Sequence, residues 1–351
     1  MTDMLSATTE PIERDVIRPR WWTGEPAIDP AASVIDAGGR ASADDADLAA
    51  RLRATFDDVG LVHVVNTGLT DHADMRAVAK LVLDTEMDYR GGANPRAALE
   101  PNVYEVGAPL TAALHYHHEM AYVGASTEMV AFLAKRTVPG RGATFVSDNV
   151  RATEAILATD LGRRLAEVGV SYHRDLTDRE AFVGREPIGV YNHWQHSFGT
   201  DDPDEAEARA NAKGLLTSWG PGRKLRTRYD ASAFEYFPQL DRNLLFSSVA
   251  DHAMWFDSWP LVEQLPPRER PLWMTFGDGA DFTAEDLRTY VDVYDRFGMP
   301  LDWRVGDVAV ICNYRFAHGR PAIHLAPGEQ RELGVLLGRS FTRLGARPDA
   351  W

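Results

Sequence analysis

Residues 114–122 read LHYHHEMAY, with three histidines and a glutamate inside five positions. Laid out as a β-strand, this stretch sends alternate side chains to opposite faces. His115, His117 and Glu119 then share one face, while Tyr116, His118 and Met120 share the other. A histidine and a carboxylate two apart on one face can take adjacent positions around one metal ion. His118 cannot join them without breaking the strand. A histidine beside a carboxylate is more often a surface pair or a hydrogen-bonded core residue, so the stretch alone is at most half of a site.

The other half has to come from a distant part of the chain. The isolated candidate is His318 in NYRFAHGRPAI, just past the apolar run GDVAVIC and followed by a glycine. Two histidines and one carboxylate on one face of a metal leave its remaining positions open, which is the ligand pattern of non-haem Fe(II) oxygenases. A single cysteine, Cys312, excludes an internal disulfide and a thiolate-rich site, so the ligands of any metal are nitrogen and oxygen. Cys312 itself lies in an apolar run and reads as an inert core residue.

The surroundings are those of a globular chain. It has 351 residues, 44% apolar and 25% charged, enough to bury a substantial core. A formal net charge of -15 argues against nucleic acid and in favour of a small-molecule partner. No run of roughly 18 apolar residues and no basic-then-apolar leader occurs, so a cytoplasmic protein without a membrane span is expected. Oligomeric state is left open, a homo-oligomer included.

Residues 1–40 carry Pro and Gly without a clear period and read as an irregular lead-in. DLAARLRATFDDVG (47–60) predicts a helix, with Leu48, Leu52, Phe56 and Val59 on one face, acidic residues at its start and Gly60 closing it. LVHVV (61–65) follows as a strand, and TDHADMRAVAKLVLD (70–84) as a second helix capped by Thr70 or Asp71. The middle alternates strand-like runs (TVPGRGATFVSDN, GVSYHRD, IGVYNHW, NLLFSSV) with polar turns, and DDPDEAEARANAKGLLTSWG interrupts them as a helix. DWRVGDVAVICNY and RELGVLLGRSF close the chain with strands. Strand runs broken by helices without βαβ alternation predict an α+β or barrel-like fold. One domain over 41–345, with a helical insert at 201–217 and a tail at 346–351, is the simplest division.

Six segments, in order over about residues 85–341, resemble the TauD/TfdA group of Fe(II)/2-oxoglutarate-dependent oxygenases, the taurine dioxygenase-like and clavaminate synthase-like enzymes. LHYHHEMAY is similar to their H-x-E/D phrase, commonly H-N-E-M-S-Y. YRGGANPRAALEPNVYEVG resembles the segment before it, TVPGRGATFVSDNVRATEAI their P-x-x-G-G-E-T-P-x-x-D-x-R turn, and YNHWQHSFGTDDPDEAE their S-W-Q-x-x-F-x-T-x-D stretch. WMTFGDGADF is similar to their Y-G-D-G, and LDWRVGDVAVICNYRFAHGR to W-x-x-G-D-x-x-x-x-D-N-x-x-x-H-G-R.

The resemblance implies a double-stranded β-helix, a jelly-roll or cupin-like barrel with flanking helices. It implies His117, Glu119 and His318 as ligands of Fe(II), with 2-oxoglutarate and O₂ as co-substrates. Arg331, thirteen residues beyond His318, matches the arginine that grips the far carboxylate of 2-oxoglutarate, and Thr144 the threonine that assists it. Asn102, Tyr104, His115, Trp194, Gln195 and Arg339 are the candidates for the substrate cavity. Arg320 reads as a support of the strand end. The implied activity is hydroxylation, desaturation or cyclisation at an unactivated C–H of a small molecule, with release of succinate and CO₂. Glu119 argues against halogenation, whose enzymes in this group lack the carboxylate ligand. The chain departs from the pattern in a longer turn, AIHLAPGEQREL, and in Val335, where several members carry a second arginine for an anionic substrate group. Val335 argues mildly against a sulfonate or aryloxyalkanoate, and the H-x-E phrase with HHEMAY is most similar to hydroxylases of amino acids and amino-acid-derived metabolites, so a substrate of that class is expected. A non-catalytic ligand-binding barrel and a zinc hydrolase are the readings from other classes.

Overall fold

In the computed structural model, residues 29–89, 96–138, 140–182, 193–254 and 264–351 are described. Its centre is a large sheet whose middle strands are Val308–Cys312, Ala125–Arg136 and Glu332–Thr342, paired antiparallel. The middles of these strands, residues 129–134, 308–312 and 333–338, carry no polar side chain because both of their faces are buried. Along Ala125–Arg136, Val130, Phe132 and Ala134 enter one hydrophobic cluster, while Met129, Ala131 and Leu133 enter another. Val308–Cys312 divides the same way, Ala309 and Ile311 against Val308, Val310 and Cys312. Period-two alternation thus makes one strand the wall of two cores.

The outer core lies under two helices. Ala46–Val59 starts on Asp45, whose side chain accepts from the backbone N–H groups of Asp47 and Leu48, and stops at Gly60 in the left-handed region. His72–Ala79 is capped by Asp71. Leu48, Leu52, Phe56, Met75 and Val78 cover the outer face of the sheet. The inner core lies against a second sheet, ordered Gly298–Leu301, Thr144–Asp148, Phe316–Arg320, Leu114–His117. Phe145, Tyr116, Phe316, Met299 and Leu301 meet Val130, Phe132, Leu333 and Val335 there. Two facing, mainly antiparallel sheets around one core form the double-stranded β-helix.

Two smaller sheets adjoin this barrel. Leu216–Gly220, Lys224–Ala231, Val170–Leu176 and Leu272–Phe276 form one, and Phe234–Phe237 with Arg242–Leu245 forms the other. The expected helical insert over 201–217 is a helix only at Pro203–Asn211, after which the chain enters the strand Leu216–Gly220. The irregular lead-in over 1–40 is corrected at its described end. Pro30–Ser33 is a helical turn, and Val34–Asp36 joins the large sheet beside Leu61–Val65 in parallel. The tail at 346–351 is docked: Ala350 O accepts from Asn243 N, and the Trp351 ring meets Phe234 edge-on at 5.2 Å. Most of the strand expected in IGVYNHW, and residues 1–28 of the lead-in, lie outside the described residues. No helix among the described residues is long and apolar enough to cross a membrane.

Candidate active site

The strand reading of residues 114–122 holds for only its first half. The strand ends at His117, and Glu119 lies in a turn that continues through Met120, whose φ is 61°. Two backbone bonds break the alternation: His118 N donates to Ser247 O at 3.1 Å, and Glu119 N donates to Asn313 Oδ1 at 2.9 Å. Asn313 also donates to Glu119 O and Thr127 O, at 3.0 and 2.8 Å, so one buried amide fixes the peptide groups on either side of the carboxylate. Glu119 therefore owes its place beside His117 to a tertiary clamp.

His318 arrives by strand pairing. In Phe316–Arg320 it stands opposite His117 on one side and opposite Val146 on the other. The two imidazole centroids are 4.4 Å apart, and His318 Nε2 lies 3.9 Å from Glu119 Oε2. Gly319 has its own reason to follow: a Cβ there would meet Leu114 O at 2.6 Å. His117, Glu119 and His318 are buried, and each offers a ligand atom within 4.8 Å of the other two. His117 Nδ1–H donates to His115 O at 2.8 Å, which fixes the tautomer and leaves Nε2 as the ligand atom. Burial, with His117 beside it, holds the His318 imidazole well below its ordinary pKa. It is then neutral at physiological pH, the form that binds a metal. Two neutral-capable imidazoles and one carboxylate, buried and convergent, fit Fe(II).

Arg331 and Thr144 are close to each other. Arg331 donates from Nε and Nη2 to Gly142 O, at 3.1 and 2.9 Å, two residues before Thr144. A Cβ on Gly142 would lie 2.8 Å from Arg331 Nε, so glycine makes the approach possible. Burial, then the charge of Arg320, pulls the Arg331 pKa down to about 9. No acidic side chain among the described residues pairs with it. A half-buried cation with no carboxylate partner among the described residues suits an incoming carboxylate. The Thr144 hydroxyl accepts from Trp303 Nε1 at 3.0 Å; the Trp303 ring packs edge-on against His63, which binds Asp307 at 3.2 Å. The W-x-x-G-D motif is thus a brace behind Thr144.

Several expected cavity residues are engaged elsewhere. Asn102 donates to Glu86, and Arg339 is exposed and paired through Nε and Nη2 with Asp84. Gln195 donates to Asp178 and accepts from Arg179 N, stitching a turn, while Trp194 is buried beneath Trp219. Tyr104 donates to Asp88 and leans on Tyr89. Among the six, His115 adjoins the ligands, through its carbonyl. The reason is shared: polar residues in matched motifs were bound by local turns and edges that a motif does not display. Arg320 supports the strand end as expected, donating to the carbonyls of Ala108, Pro109, Leu110, Ala112 and Pro321. Burial raises the Cys312 thiol to about 11, which keeps it inert.

Other side chains surround the ligands instead. Arg96, stacked 4.1 Å over the Tyr89 ring, donates to Glu119. His252 packs against Tyr122 and Tyr172, at 5.0 and 5.1 Å, and neither ring nitrogen has a partner among the described residues. Asp251, beside it, is buried, which raises its carboxyl to about 6 against the pull of His117. Arg174 is buried and feels the Tyr122 and Tyr89 hydroxyls. Arg96 and Asn313 stood inside matched segments without a role; Asp251 and His252 carried no signal in the sequence.

The sequence profile of the taurine catabolism dioxygenase TauD, TfdA family matches residues 27–337. A clavaminate synthase-like protein of Arabidopsis thaliana is 28% identical over 240 residues, 67% of this chain and 69% of that protein. Similar solved structures include the PvcB protein of Pseudomonas aeruginosa, with TM-score 0.49, 14% identity and 90% of each chain covered. A taurine dioxygenase from Burkholderia xenovorans has TM-score 0.49 and 14% identity, over 91% of this chain and 89% of that one.

Proposed function

Because the chain belongs to the TauD/TfdA family and is an iron- and 2-oxoglutarate-dependent dioxygenase, we propose that it oxidises an unactivated C–H of an amino acid or amino-acid-derived metabolite. Hydroxylation, desaturation or ring closure is the outcome, with succinate and CO₂ released. The observation that carries the site reading is the convergence of three buried ligand atoms, two delivered by facing strands and the third by a clamped turn.

Each residue has a task. His117, Glu119 and His318 would hold Fe(II) through their three convergent ligand atoms. Arg331 and Thr144 would receive the far carboxylate of 2-oxoglutarate, Arg331 as a half-buried cation and Thr144 as a hydroxyl braced by Trp303. When bound, the iron and 2-oxoglutarate together supply the oxidising power, drawn from O₂ and a decarboxylation. The inner core, with Phe132 packed edge-on against His318 at 5.5 Å, keeps water from the reacting atoms.

The substrate class is supported by two features. Val335 is buried in the inner core, so the place where relatives of the resemblance carry a second arginine is apolar. Asp251 offers a buried carboxylate that feels His117 and Glu119, a partner for the ammonium group of an α-amino acid. The net charge of -15 fits a small-molecule partner, and we place the enzyme in the cytoplasm, with residues 41–345 acting as one domain.

Anaerobic addition of Fe(II) and 2-oxoglutarate is the first test. A charge-transfer band in the visible is expected, and its absence would end the oxygenase assignment of this site. Succinate release is then measured with amino acids, sulfonates and aryloxyacetates. Turnover confined to the last two classes would overturn the substrate reading. A zinc hydrolase leaves Arg331 without a purpose.

A further inference from the structure

Arg96 meets Glu119 in a particular way. One nitrogen, Nη2, donates to both carboxylate oxygens, to Oε1 at 3.1 Å and to Oε2 at 3.2 Å. A donor nearly equidistant from two carboxylate oxygens sits in the notch between them. A cation occupies that same notch when the carboxylate binds it through both oxygens. Here the notch is filled by a side chain that is itself fixed, 90% buried and stacked on Tyr89 at 4.1 Å. On the other side, the Glu119 peptide groups are held by Asn313, and Glu119 O also accepts from Ser126 Oγ at 3.1 Å. Neither partner can swing away without breaking buried contacts.

We propose that Arg96 is a positioning residue that keeps Glu119 a one-oxygen ligand. With the notch filled, what remains for a metal is an outward lone pair, and Oε2 presents one on the side of His318 Nε2, 3.9 Å away. A Glu119 free to bind through both oxygens would take up a further coordination position, one that 2-oxoglutarate needs for its own chelation. Arg96 therefore acts on co-substrate binding through Glu119, touching neither co-substrate nor substrate. The inference rests on the iron assignment made above.

Its signature is a split between two affinities. An arginine that merely packs the fold, or merely orients Glu119, would when removed weaken metal and 2-oxoglutarate binding together. An arginine that guards the notch would when removed leave Fe(II) binding as tight or tighter, because the carboxylate gains a second bond and loses a repelling cation, while 2-oxoglutarate binds worse.

The measurement uses the full-length chain and the variants Arg96→Met, Arg96→Gln and Arg96→Lys. Fe(II) affinity is read anaerobically by calorimetry, and 2-oxoglutarate affinity by titrating the visible band of the Fe(II) protein. For the two neutral variants we expect Fe(II) affinity no lower than that of the unaltered protein, with 2-oxoglutarate affinity reduced roughly 10-fold or more, the usual scale for a lost partner of a ligand. Arg96→Lys restores a cation in the notch and returns 2-oxoglutarate affinity towards the starting value. Unchanged 2-oxoglutarate affinity in the neutral variants overturns the proposal, as does a parallel loss of both affinities. Should Arg96→Met fail to fold, Arg96→Gln carries the same comparison. A missing band in the unaltered protein would strike the iron assignment itself, an outcome distinct from a band that forms and ignores Arg96.

Discussion

Asn313 shows how much a site can depend on one side chain that touches neither iron nor co-substrate. Its amide bonds the N–H and C=O of Glu119 and the C=O of Thr127, all buried. Asn313→Ala removes all three of those bonds, with Glu119 O keeping the Ser126 hydroxyl, at a cost on the order of 2–3 kcal/mol. Denaturant melts should show that loss, together with weaker Fe(II) binding because Glu119 is no longer clamped. Alanine at His117, Glu119 or His318 should abolish tight metal binding, measured by calorimetry, while far-UV circular dichroism stays unchanged. Arg331→Met should raise the KM for 2-oxoglutarate by about 30-fold or more, the scale expected when one partner of a buried charge pair is cut away. Metal affinity should hold, and equal damage to both would count against Arg331 as the carboxylate anchor. The candidate ligands were legible because residues of metal-binding type stood at matching places in segments that resemble one family. The clamp and the brace were not, since an asparagine or a tryptophan declares no partner until the chain is folded.

Between strands, the site is a problem of register. His318 faces His117 because Phe316–Arg320 pairs with Leu114–His117 at that step, and the pairing shifts between His318 and Arg320. Gly319 permits the close approach, with Leu114 O and His115 C at 2.6 and 3.0 Å from where a Cβ would sit. Gly319→Ala should cost about 1–3 kcal/mol by overpacking and should also lower Fe(II) affinity, since strand separation sets the spacing of the two imidazoles. A melt that drops while metal affinity is untouched would show the strain is relieved elsewhere. The helices Ala46–Val59 and His72–Ala79 were readable from caps and periodicity. The strand Ala125–Arg136 and the helix Ala284–Arg296 were not anticipated. The strand is buried on both faces, so no alternation of polar and apolar residues marks it, and the run carried no motif. Strand and turn also divided differently than expected at Glu119, because His118 N donates to Ser247 O where the extended chain stops, after His117.

At the scale of the molecule, burial decides which histidines can carry charge. Burial, with the charges of His117 and Arg174 behind it, holds the His252 imidazole down at about 3. The sign follows from proton counts. In the unfolded chain this histidine takes a proton below about pH 6.5, while in the fold it stays neutral until about pH 3. The unfolded state binds more protons across that window, so folding loses stability as pH falls from 6.5 towards 3, by up to about 1.4 kcal/mol per pH unit. Thermal midpoints between pH 7.5 and 5 should therefore fall less in His252→Phe than in the unaltered protein. Parallel curves would exclude His252 as the source. Asp251 opposes this trend, since a carboxyl raised to about 6 favours the protonated fold, which is why the comparison with the variant is needed.

What the sequence by itself determined is the metal-binding residue types and the order of the six segments; the resemblance those segments carry implied the barrel, and offered Arg331 with Thr144 as candidate partners of a carboxylate. Those follow from residue identity along one chain and from the family the segments resemble. The tertiary structure alone decided that Asn102, Gln195 and Arg339 are spent on neighbouring carboxylates and turns, and that Arg96, Asp251 and His252 surround the ligands. The reason is physical. A ligand set is defined by what its atoms can bind, whereas a cavity wall is defined by which hydrogen bonds are already taken. Those bonds are settled only when distant strands, turns and helices compete for the same polar groups.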